Sequence, residues 1–180
     1  NIFSLEGKNA WITGASYGIG FNIAKAFVGA GIKNIIFNDI NEEALAKGLA
    51  NYKEAGIENV HGYVCDVTDE VAVKELVEKI HAEVGQIDIL VNNAGIIKRI
   101  PMHEMTLREW EQVIDIDLNG PFICAKAVLP SMMERKSGKI INACSMMSEF
   151  GRETVSAYAA AKGGLKMLTK NICSEYGQYN

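Results

Sequence analysis

Short apolar segments alternate along this chain with amphipathic segments, and this alternation restricts the fold more than any other feature. Five apolar segments predict strands, at residues 9–13, 33–39, 60–66, 87–93 and 138–145. Six amphipathic segments predict helices, at residues 19–31, 41–56, 68–85, 106–120, 121–135 and from about 154 to 176. Strands that alternate with helices indicate βαβ units, and nearly continuous apolar strands are typical of a parallel sheet covered on both faces. We therefore expect one α/β domain over residues 1–180, with a Rossmann-like, doubly wound parallel sheet.

The composition excludes several other classes of protein. The chain is 48% hydrophobic and 22% charged, which suits a globular domain with a proper core. Its net charge is −4 and it has no basic stripe, so we expect no nucleic-acid partner. No apolar run approaches the roughly 18 residues of a membrane span, so we expect no membrane partner. The start, "NIFSLEGKNA", lacks the features of a signal peptide and begins with Asn, so we expect a cytoplasmic protein with further residues upstream.

The cysteines and histidines show no metal-binding spacing. The four cysteines, at 65, 124, 144 and 173, form no CxxC pair, and the three histidines are scattered. We interpret the cysteines as buried free thiols in a reducing cytoplasm, and we expect no metal site.

A glycine-rich turn, "TGASYGIG" at 13–20, joins the first predicted strand to the first predicted helix. Gly14 would allow a tight turn, while Gly18 and Gly20 would let the backbone approach a pyrophosphate at the helix N-terminus. The alternative is an ordinary turn with structural glycines. We favour a dinucleotide site because ligands of such sheets bind at the carboxyl ends of the strands. The predicted cofactor residues of this turn are Gly14, Ser16, Tyr17, Gly18, Ile19 and Gly20.

An acidic residue, Asp39, ends the second predicted strand, 25 residues after Gly14. A carboxylate about 20 residues beyond the glycine turn hydrogen-bonds the adenosine ribose and repels a 2′-phosphate, so Asp39 favours NAD over NADP. The alternative role for Asp39 is to cap the next helix, which Asn41 could do instead.

Two further turns follow predicted strands. Asp66 and Val67 follow the third strand, where Asp66 would either cap the next helix or border the adenine. The motif "NNAG" at 92–95 follows the fourth strand, and its small residues would let a flat ring lie against the backbone. The predicted cofactor residues here are Asp66, Val67, Asn93, Ala94 and Gly95. The alternative for the second turn is a tight turn without a ligand.

The segment "SAYAAAK" at 156–162 places Tyr158 and Lys162 four positions apart. Alanine favours a helix, and positions i and i+4 share one helix face, so the two side chains should be neighbours. On its own, this spacing favours an ordinary contact between an aromatic ring and a lysine over a catalytic pair.

Together these motifs resemble the short-chain dehydrogenase/reductase family. The resemblance rests on the glycine pattern 13–20, on "NNAG", on Ser145, and on Tyr-x-x-x-Lys at Tyr158 and Lys162, with Ser145 placed 13 residues before Tyr158. Longer segments, including 92–102, 114–122 and 144–172, resemble one group of this family, the gluconate 5-dehydrogenases. The family resemblance implies an NAD(P)-dependent oxidoreductase that interconverts a secondary alcohol and a ketone, with D-gluconate and 5-keto-D-gluconate as the first candidate pair.

The resemblance also implies catalytic roles. Tyr158 would be the acid/base, Lys162 would favour its phenolate form and hold the nicotinamide ribose, and Ser145 would orient the substrate oxygen. Both Tyr158 and Lys162 therefore belong to the predicted cofactor site as well. The family often has an Asn, which holds a relay water, where this chain has Asp117. An ionised Asp accepts hydrogen bonds but donates none, and Asn119 lies on a different helix face, so we assign the relay role to neither.

The substrate prediction is a small sugar acid or polyol. Arg99 and Arg152 are candidates to bind a carboxylate, with solvated surface arginines as the alternative. The predicted substrate-binding residues are Arg99, Ser145, Arg152 and Tyr158. Other possibilities are a related reductase of 3-oxoacyl thioesters or 2-deoxygluconate, and a non-catalytic cofactor sensor on the same fold.

Two expectations concern the size of the whole protein. Apolar stripes at 121–133 and 157–172, together with the family's habit of pairing these helices, predict a homo-oligomer, either a dimer or a tetramer. The chain stops at "EYGQYN", before the sixth strand and the substrate-covering loop that the family resemblance implies, so we expect that part to lie outside this chain.

Overall fold

The computed structural model describes residues 2–180 and contains a five-stranded parallel sheet with helices on both faces. The strands are β1 (Asn9–Thr13), β2 (Asn34–Asp39), β3 (Val60–Val64), β4 (Ile89–Asn92) and β5 (Lys139–Asn142). They are arranged in the order β3-β2-β1-β4-β5. This confirms the predicted Rossmann-like class. The order reverses between β1 and β4, and sheets of this kind bind ligands in the crevice at such a reversal.

Helices occur in each of the predicted segments, although their first and last residues differ from the predicted ones. They are α1 (Gly18–Gly29), α2 (Glu42–Glu54), α3 (Glu70–Glu83), α4 (Leu107–Ile114), α5 (Gly120–Arg135) and α6 (Ser156–Tyr176). Short 3₁₀ turns at Met146–Ser148 and Gly177–Tyr179 complete the structure. Side-chain caps set three of the helix starts. Asn41 accepts a hydrogen bond from Ala44 N, Asp69 accepts from two backbone N–H groups of α3, and Thr106 and Glu109 form a capping box.

The segment from 107 to 135 is one continuous helix, so the predicted division into helices at 106–120 and 121–135 is wrong. A π-helical turn, Asp115–Asn119, joins α4 to α5, and the Gly120 N–H donates to Asp115 O five residues earlier. Pro121 directly follows the π turn, at the start of α5. A π turn changes which residues face the protein interior, and it often marks a functional position.

The core consists of two apolar layers, one on each face of the sheet. Trp11 and Leu90 belong to one layer, which α3 and α5 cover with residues such as Val73 and Val128. Neighbouring strand residues point to the opposite face, where α1 and α2 close the other layer; its strand residues include Ile12, Ile35, Phe37 and Val91. The central strands are therefore buried on both sides, as their apolar sequences predict.

The cysteine prediction is partly wrong. All four cysteines are free thiols, but Cys144 and Cys173 are exposed while Cys65 and Cys124 are buried. Cys144 follows the edge strand β5, and Cys173 lies on α6. Burial, together with Asp66 and Asp69, raises the pKa of the Cys65 thiol to about 11, which keeps it protonated and unreactive at neutral pH.

Within residues 2–180, no helix is both long enough and apolar enough to cross a membrane. The same residues contain no cluster of three or more His, Cys, Asp or Glu side chains that would hold a metal ion.

Candidate active site

A cavity of about 760 Å³ opens at the carboxyl ends of β1 to β4. Ten of the predicted cofactor residues form its wall: Gly14, Tyr17, Gly18, Ile19, Asp39, Asp66, Val67, Asn93, Ala94 and Gly95. These residues come from four separate turns, which the parallel sheet brings to one edge. Its size and concave shape suit a small-molecule or cofactor site.

The glycine turn presents the N-terminus of α1 to the cavity. Gly14 and Gly18 have φ angles of +62° and +64°, a left-handed conformation that glycine adopts without steric cost. Among the described residues, no side chain caps the start of α1, so its first backbone N–H groups remain available. Free N–H groups and the helix dipole favour an anion such as a pyrophosphate. This end of the cavity therefore fits the phosphates of a dinucleotide.

Two predicted cofactor residues of the glycine turn, Ser16 and Gly20, lie behind the cavity wall. A Cβ atom at Gly20 would lie 2.5 Å from Nδ2 of Asn93, so this glycine allows α1 to pack closely against the loop after β4. Ser16 is buried, and its Oγ donates to Asp39 Oδ2 at 2.5 Å. In the structure, Ser16 therefore supports the Asp39 carboxylate, and Gly20 supports the packing of α1.

Asp39 lies at the cavity wall with a fixed carboxylate. Its Oδ2 accepts from Ser16, and its Oδ1 accepts from the Ile40 N–H at 2.8 Å. The capping alternative for Asp39 is wrong because Asn41 caps α2. The carboxylate is thus held where the adenosine ribose of a dinucleotide would be expected.

Asp66 shapes the turn after β3 and does not cap α3. Its Oδ1 accepts from both the backbone N–H and the hydroxyl of Thr68, while Asp69 caps the helix. The capping alternative for Asp66 is therefore wrong. Asp66 and Val67 both line the cavity.

The "NNAG" turn holds the glycine turn in place. Asn93 Nδ2 donates to the carbonyl oxygens of Thr13 and Gly14, and Thr13 Oγ1 accepts from the backbone N–H groups of Asn93 and Ala94. A Cβ atom at Gly14 would lie only 3.0 Å from Ala94 Cα. The turn is therefore a structural clamp on the glycine turn and also part of the cavity wall.

Tyr158 and Lys162 are neighbours on one face of α6, as their spacing predicts. Lys162 is 4% exposed, its Nζ donates to Ala143 O at 2.8 Å, and the same Nζ lies 5.6 Å from the centroid of the Tyr158 ring. A buried ammonium held this firmly acts as a fixed positive charge beside the phenol.

Ser145 lies at the end of β5 and is tied to the same helix. Its Oγ accepts from the Met147 N–H at 3.1 Å, which fixes the hydroxyl at the start of the short 3₁₀ turn. Ser148, at the end of that turn, donates its hydroxyl to Lys162 O at 2.8 Å. The serine turn and the Tyr158–Lys162 pair therefore form one connected unit.

Asp117, where the family often has Asn, lies next to Lys162 and is fully buried. Its Oδ1 accepts from the Ile96 N–H at 2.7 Å, and its Oδ2 lies 3.6 Å from Lys162 Nζ. Burial raises the pKa of Asp117, and the Ile96 N–H and Lys162 offset this only in part. Asn119 is exposed and donates to Asp115 Oδ1, which confirms that it lies on a different face.

The two candidate substrate arginines lie on loops that touch each other. Arg99 and Arg152 are both exposed, and neither lines the cavity at the ends of β1 to β4. The Ile100 N–H donates to Thr154 O at 2.8 Å, so the loop after β4 and the loop before α6 are joined beside both arginines. The structure thus joins the loop that carries Arg99 to the loop that carries Arg152, just before α6.

Part of the cavity wall was not predicted from the sequence. One face of α4 and the following π turn contributes Arg108, Glu111, Gln112, Asp115 and Ile116. Their spacing of three to four residues shows that they share a helix face. The sequence pattern reveals that face but not what it points toward, which depends on how α4 packs against α6.

A parallel sheet with a cavity at the carboxyl ends of its strands is typical of a dinucleotide-binding α/β protein. The chain matches the family model of the short chain dehydrogenases over residues 8–180 and belongs to that family. It is an enzyme of the NAD(P)-dependent short-chain dehydrogenase/reductase type and is similar to the gluconate 5-dehydrogenases.

Three comparisons illustrate this similarity. The chain is 49% identical over 180 residues to a 2-dehydro-3-deoxy-D-gluconate 5-dehydrogenase of Formosa agariphila, an alignment that covers 100% of this chain and 68% of that one. A 2-keto-3-deoxy-D-gluconate dehydrogenase from Streptococcus agalactiae, known from a crystal structure, is 68% identical in sequence. Its structure matches with a TM-score of 0.83, over 99% of this chain and 66% of that one. A gluconate 5-dehydrogenase from Burkholderia cenocepacia, solved with NADP and tartrate, is 40% identical, with a TM-score of 0.92 and coverage of 99% and 69%.

Proposed function

We propose that this enzyme interconverts a secondary alcohol and a ketone at C5 of a six-carbon sugar acid. The observation that carries the alcohol–ketone chemistry is the position of Lys162, a buried ammonium fixed by Ala143 O beside the Tyr158 ring. The choice of a sugar acid and of C5 is supported by the similar proteins. Such an arrangement gives tyrosine the electrostatic help that it needs to act as a base near neutral pH.

The three catalytic residues have separate tasks. During alcohol oxidation, the phenolate of Tyr158 takes up the proton of the substrate hydroxyl, and Lys162 stabilises that phenolate beforehand. Ser145 donates its hydroxyl proton to the substrate oxygen, while its own oxygen accepts from Met147 N. In the reducing direction, Tyr158 returns the proton to the forming alcohol.

The cavity at the ends of β1 to β4 is the proposed site for NAD(P). When bound, the cofactor accepts or supplies the hydride. The N-terminus of α1 would hold the pyrophosphate, Asp39 the adenosine ribose, and the turns at Asp66–Val67 and Asn93–Gly95 the two rings. The fixed carboxylate of Asp39 supports a preference for NAD, although the similar Burkholderia cenocepacia structure contains NADP.

The first candidate substrate pair is D-gluconate and 5-keto-D-gluconate. The similarity to gluconate 5-dehydrogenases supports it. Arg99 and Arg152, on loops joined through Ile100 and Thr154, are the proposed partners of the substrate carboxylate.

A second candidate substrate is 2-dehydro-3-deoxy-D-gluconate. Two proteins that carry this compound in their names are 49% and 68% identical to this chain, whereas the gluconate 5-dehydrogenase of Burkholderia cenocepacia is 40% identical. Both candidate substrates have a carboxylate at C1 and a secondary alcohol at C5, so the same catalytic residues would serve either.

The same proposal includes a homo-oligomer, a dimer or a tetramer. Phe122 of α5 and Met167 of α6 are 50% and 59% exposed, which supports an apolar contact surface on these helices. Light scattering of the purified protein is expected to give a mass of at least two chains, and a monomer at assay concentration would contradict the prediction.

Turnover assays with a panel of substrates test the proposed function. The panel contains D-gluconate, 2-dehydro-3-deoxy-D-gluconate, 2-deoxygluconate and a 3-oxoacyl thioester, each with NAD(H) and with NADP(H). We expect turnover of a six-carbon sugar acid at C5. Preferred turnover of the thioester would overturn the substrate class, and tight cofactor binding without any turnover would indicate a cofactor sensor.

A further inference from the structure

The side chain of Asp117 is the buried charged group that the proposed mechanism leaves without a role. It belongs to the π-helical turn Asp115–Asn119 between α4 and α5. Its neighbours Asp115 and Asn119 are exposed and bond to each other, whereas Asp117 is fully buried. The π turn therefore directs the carboxyl of Asp117 into the protein, next to Lys162 of α6.

The contacts of Asp117 connect the cavity wall to Lys162. Its Oδ1 accepts from the N–H of Ile96, a residue of the cavity wall. Its Oδ2 has no hydrogen-bond partner among the described residues and lies 3.6 Å from Lys162 Nζ. The neighbouring backbone is close as well, since a Cβ atom at Gly95 would lie 3.0 Å from Oδ2. The Lys162 ammonium thus lies 3.6 Å from a carboxyl oxygen and 5.6 Å from the centroid of the Tyr158 ring.

Few charged groups face this carboxyl. Helix α6 presents Lys162 and Tyr158, and the loop after β4 presents the Ile96 N–H. The groove between α4 and α6 is filled by apolar residues, with Val113, Ala157 and Ala161 fully buried. Burial raises the pKa of Asp117, and the Ile96 N–H and Lys162 lower it in part. In such surroundings, a change in the charge of Asp117 is screened little by solvent.

We propose that Asp117 is a positioning residue that acts as the buried counter-ion of Lys162 and sets the pH range in which Tyr158 works as a base. This inference rests on the proposed function of Tyr158 and Lys162. A lysine cation favours a nearby phenolate, and a carboxylate beside that cation offsets its effect. An ionised Asp117 therefore weakens the electrostatic support that Lys162 gives to the Tyr158 phenolate.

The variant Asp117→Asn tests this directly. Asparagine keeps an oxygen that accepts from Ile96 N but carries no charge, and it is the residue that the family often has here. The pH dependence of kcat/KM for alcohol oxidation is measured, and the midpoint of its acid limb is expected to move to lower pH in Asp117→Asn. We expect a shift of about one pH unit, the lower end of the range by which a nearby charge changes an ionisation. A midpoint that stays in place or moves to higher pH would overturn the proposal.

Two further variants make this test robust. Glu134→Gln removes an exposed carboxylate from the same long helix and is expected to leave the pH profile unchanged. If Asp117→Asn does not fold, Asp117→Ser removes the charge with a smaller side chain and is expected to move the midpoint in the same direction. An unchanged midpoint in Asp117→Ser also overturns the proposal.

A measurement without substrate separates this inference from the proposed function. The ionisation of Tyr158 is followed by ultraviolet difference titration, with Tyr158→Phe as the reference that identifies its signal. Asp117→Asn is expected to increase the phenolate fraction of Tyr158 at a given pH, whether or not a sugar acid is turned over. A wild-type enzyme that is inactive on sugar acids would refute the proposed function alone, and an unchanged titration would refute the counter-ion role alone.

Discussion

The proposed active site has a cofactor end with Asp39 and a catalytic end with Asp117, and the two carboxylates are held in different ways. Asp39, at the cavity wall, accepts hydrogen bonds on both oxygens, from Ser16 and from the Ile40 N–H. Asp117, beside Lys162, is fully buried and has a hydrogen bond on one oxygen only. A satisfied carboxylate at an open wall can select a ligand, whereas a buried and partly satisfied one changes the charge balance of its neighbours.

The catalytic end is expected to show the largest effect of any single substitution. Tyr158→Phe removes the proposed proton acceptor and should lower kcat by about 10²–10⁴-fold, the usual contribution of a positioned acid/base. Cofactor affinity, measured by nicotinamide fluorescence, should change little because phenylalanine keeps the aromatic ring at position 158. Tyr176→Phe, on the same helix, is the matched control. Retained turnover in Tyr158→Phe would exclude this tyrosine as the base.

Ser145→Ala tests the donor to the substrate oxygen at the same end. Loss of one such donor usually costs about 10²–10³-fold in kcat, so we expect a loss in that range. The exposed Ser174 provides a control, since Ser174→Ala should have wild-type kinetics. A loss confined to KM would indicate that Ser145 binds the substrate without stabilising the transition state.

The cofactor end is expected to control selectivity, with a smaller effect. In Asp39→Asn, the amide oxygen can still accept the hydrogen bond from Ser16. The substitution removes the negative charge that repels a 2′-phosphate. The ratio of kcat/KM for NADP to that for NAD should rise about tenfold, which corresponds to about 1.4 kcal/mol. Glu42→Gln, an exposed acidic residue nearby in α2, should leave the ratio unchanged. An unchanged ratio in Asp39→Asn would show that other residues choose the cofactor.

The smallest expected effect concerns stability at the catalytic end. Because burial raises the pKa of Asp117 above the ordinary value of 3.8, the folded state binds this proton more tightly than the unfolded chain does. The stabilising contribution of the protonated carboxyl is complete below that value and is lost as the pH rises through the folded-state pKa. The Tm of Asp117→Asn relative to wild type should therefore increase as the pH rises from about 4 toward 7. For a domain of this size, each kcal/mol of difference in the free energy of unfolding shifts Tm by about 2–4 °C.

Thermal unfolding of both proteins across this pH range measures the difference. A relative Tm that falls as the pH rises would mean that the ion pair with Lys162 outweighs the cost of burial. Glu134→Gln again serves as the control, because an exposed carboxyl should give no trend.

The cavity wall was easier to predict from the sequence than the surroundings of Lys162. Glycine turns, strand-end aspartates and "NNAG" each follow a strand, and a parallel sheet brings all strand ends to one edge. Sequence spacing placed Tyr158 beside Lys162 for an equally local reason, the geometry of a helix. It did not reveal that Gly20 and Ser16 lie behind the wall, because that depends on how closely α1 packs against Asn93.

Contacts between distant segments account for what the sequence did not show. The fixed acceptor of Lys162, Ala143 O, belongs to another element, and no local pattern marks it. The π turn places Asp117 against Lys162, although the sequence around it reads as two ordinary helices. The wall formed by α4 likewise depends on the packing of α4 against α6, so residues such as Arg108 were not predicted.

Transfer of a labelled hydrogen tests the central claim most directly. The wild-type enzyme is incubated with D-gluconate or 2-dehydro-3-deoxy-D-gluconate that carries deuterium at C5, together with NAD or NADP. We predict that the deuterium appears in the reduced nicotinamide and that the product is a C5 ketone. Reduced cofactor without deuterium, or no turnover of either compound, would contradict the claim that Tyr158, Lys162 and Ser145 act on C5 of a sugar acid.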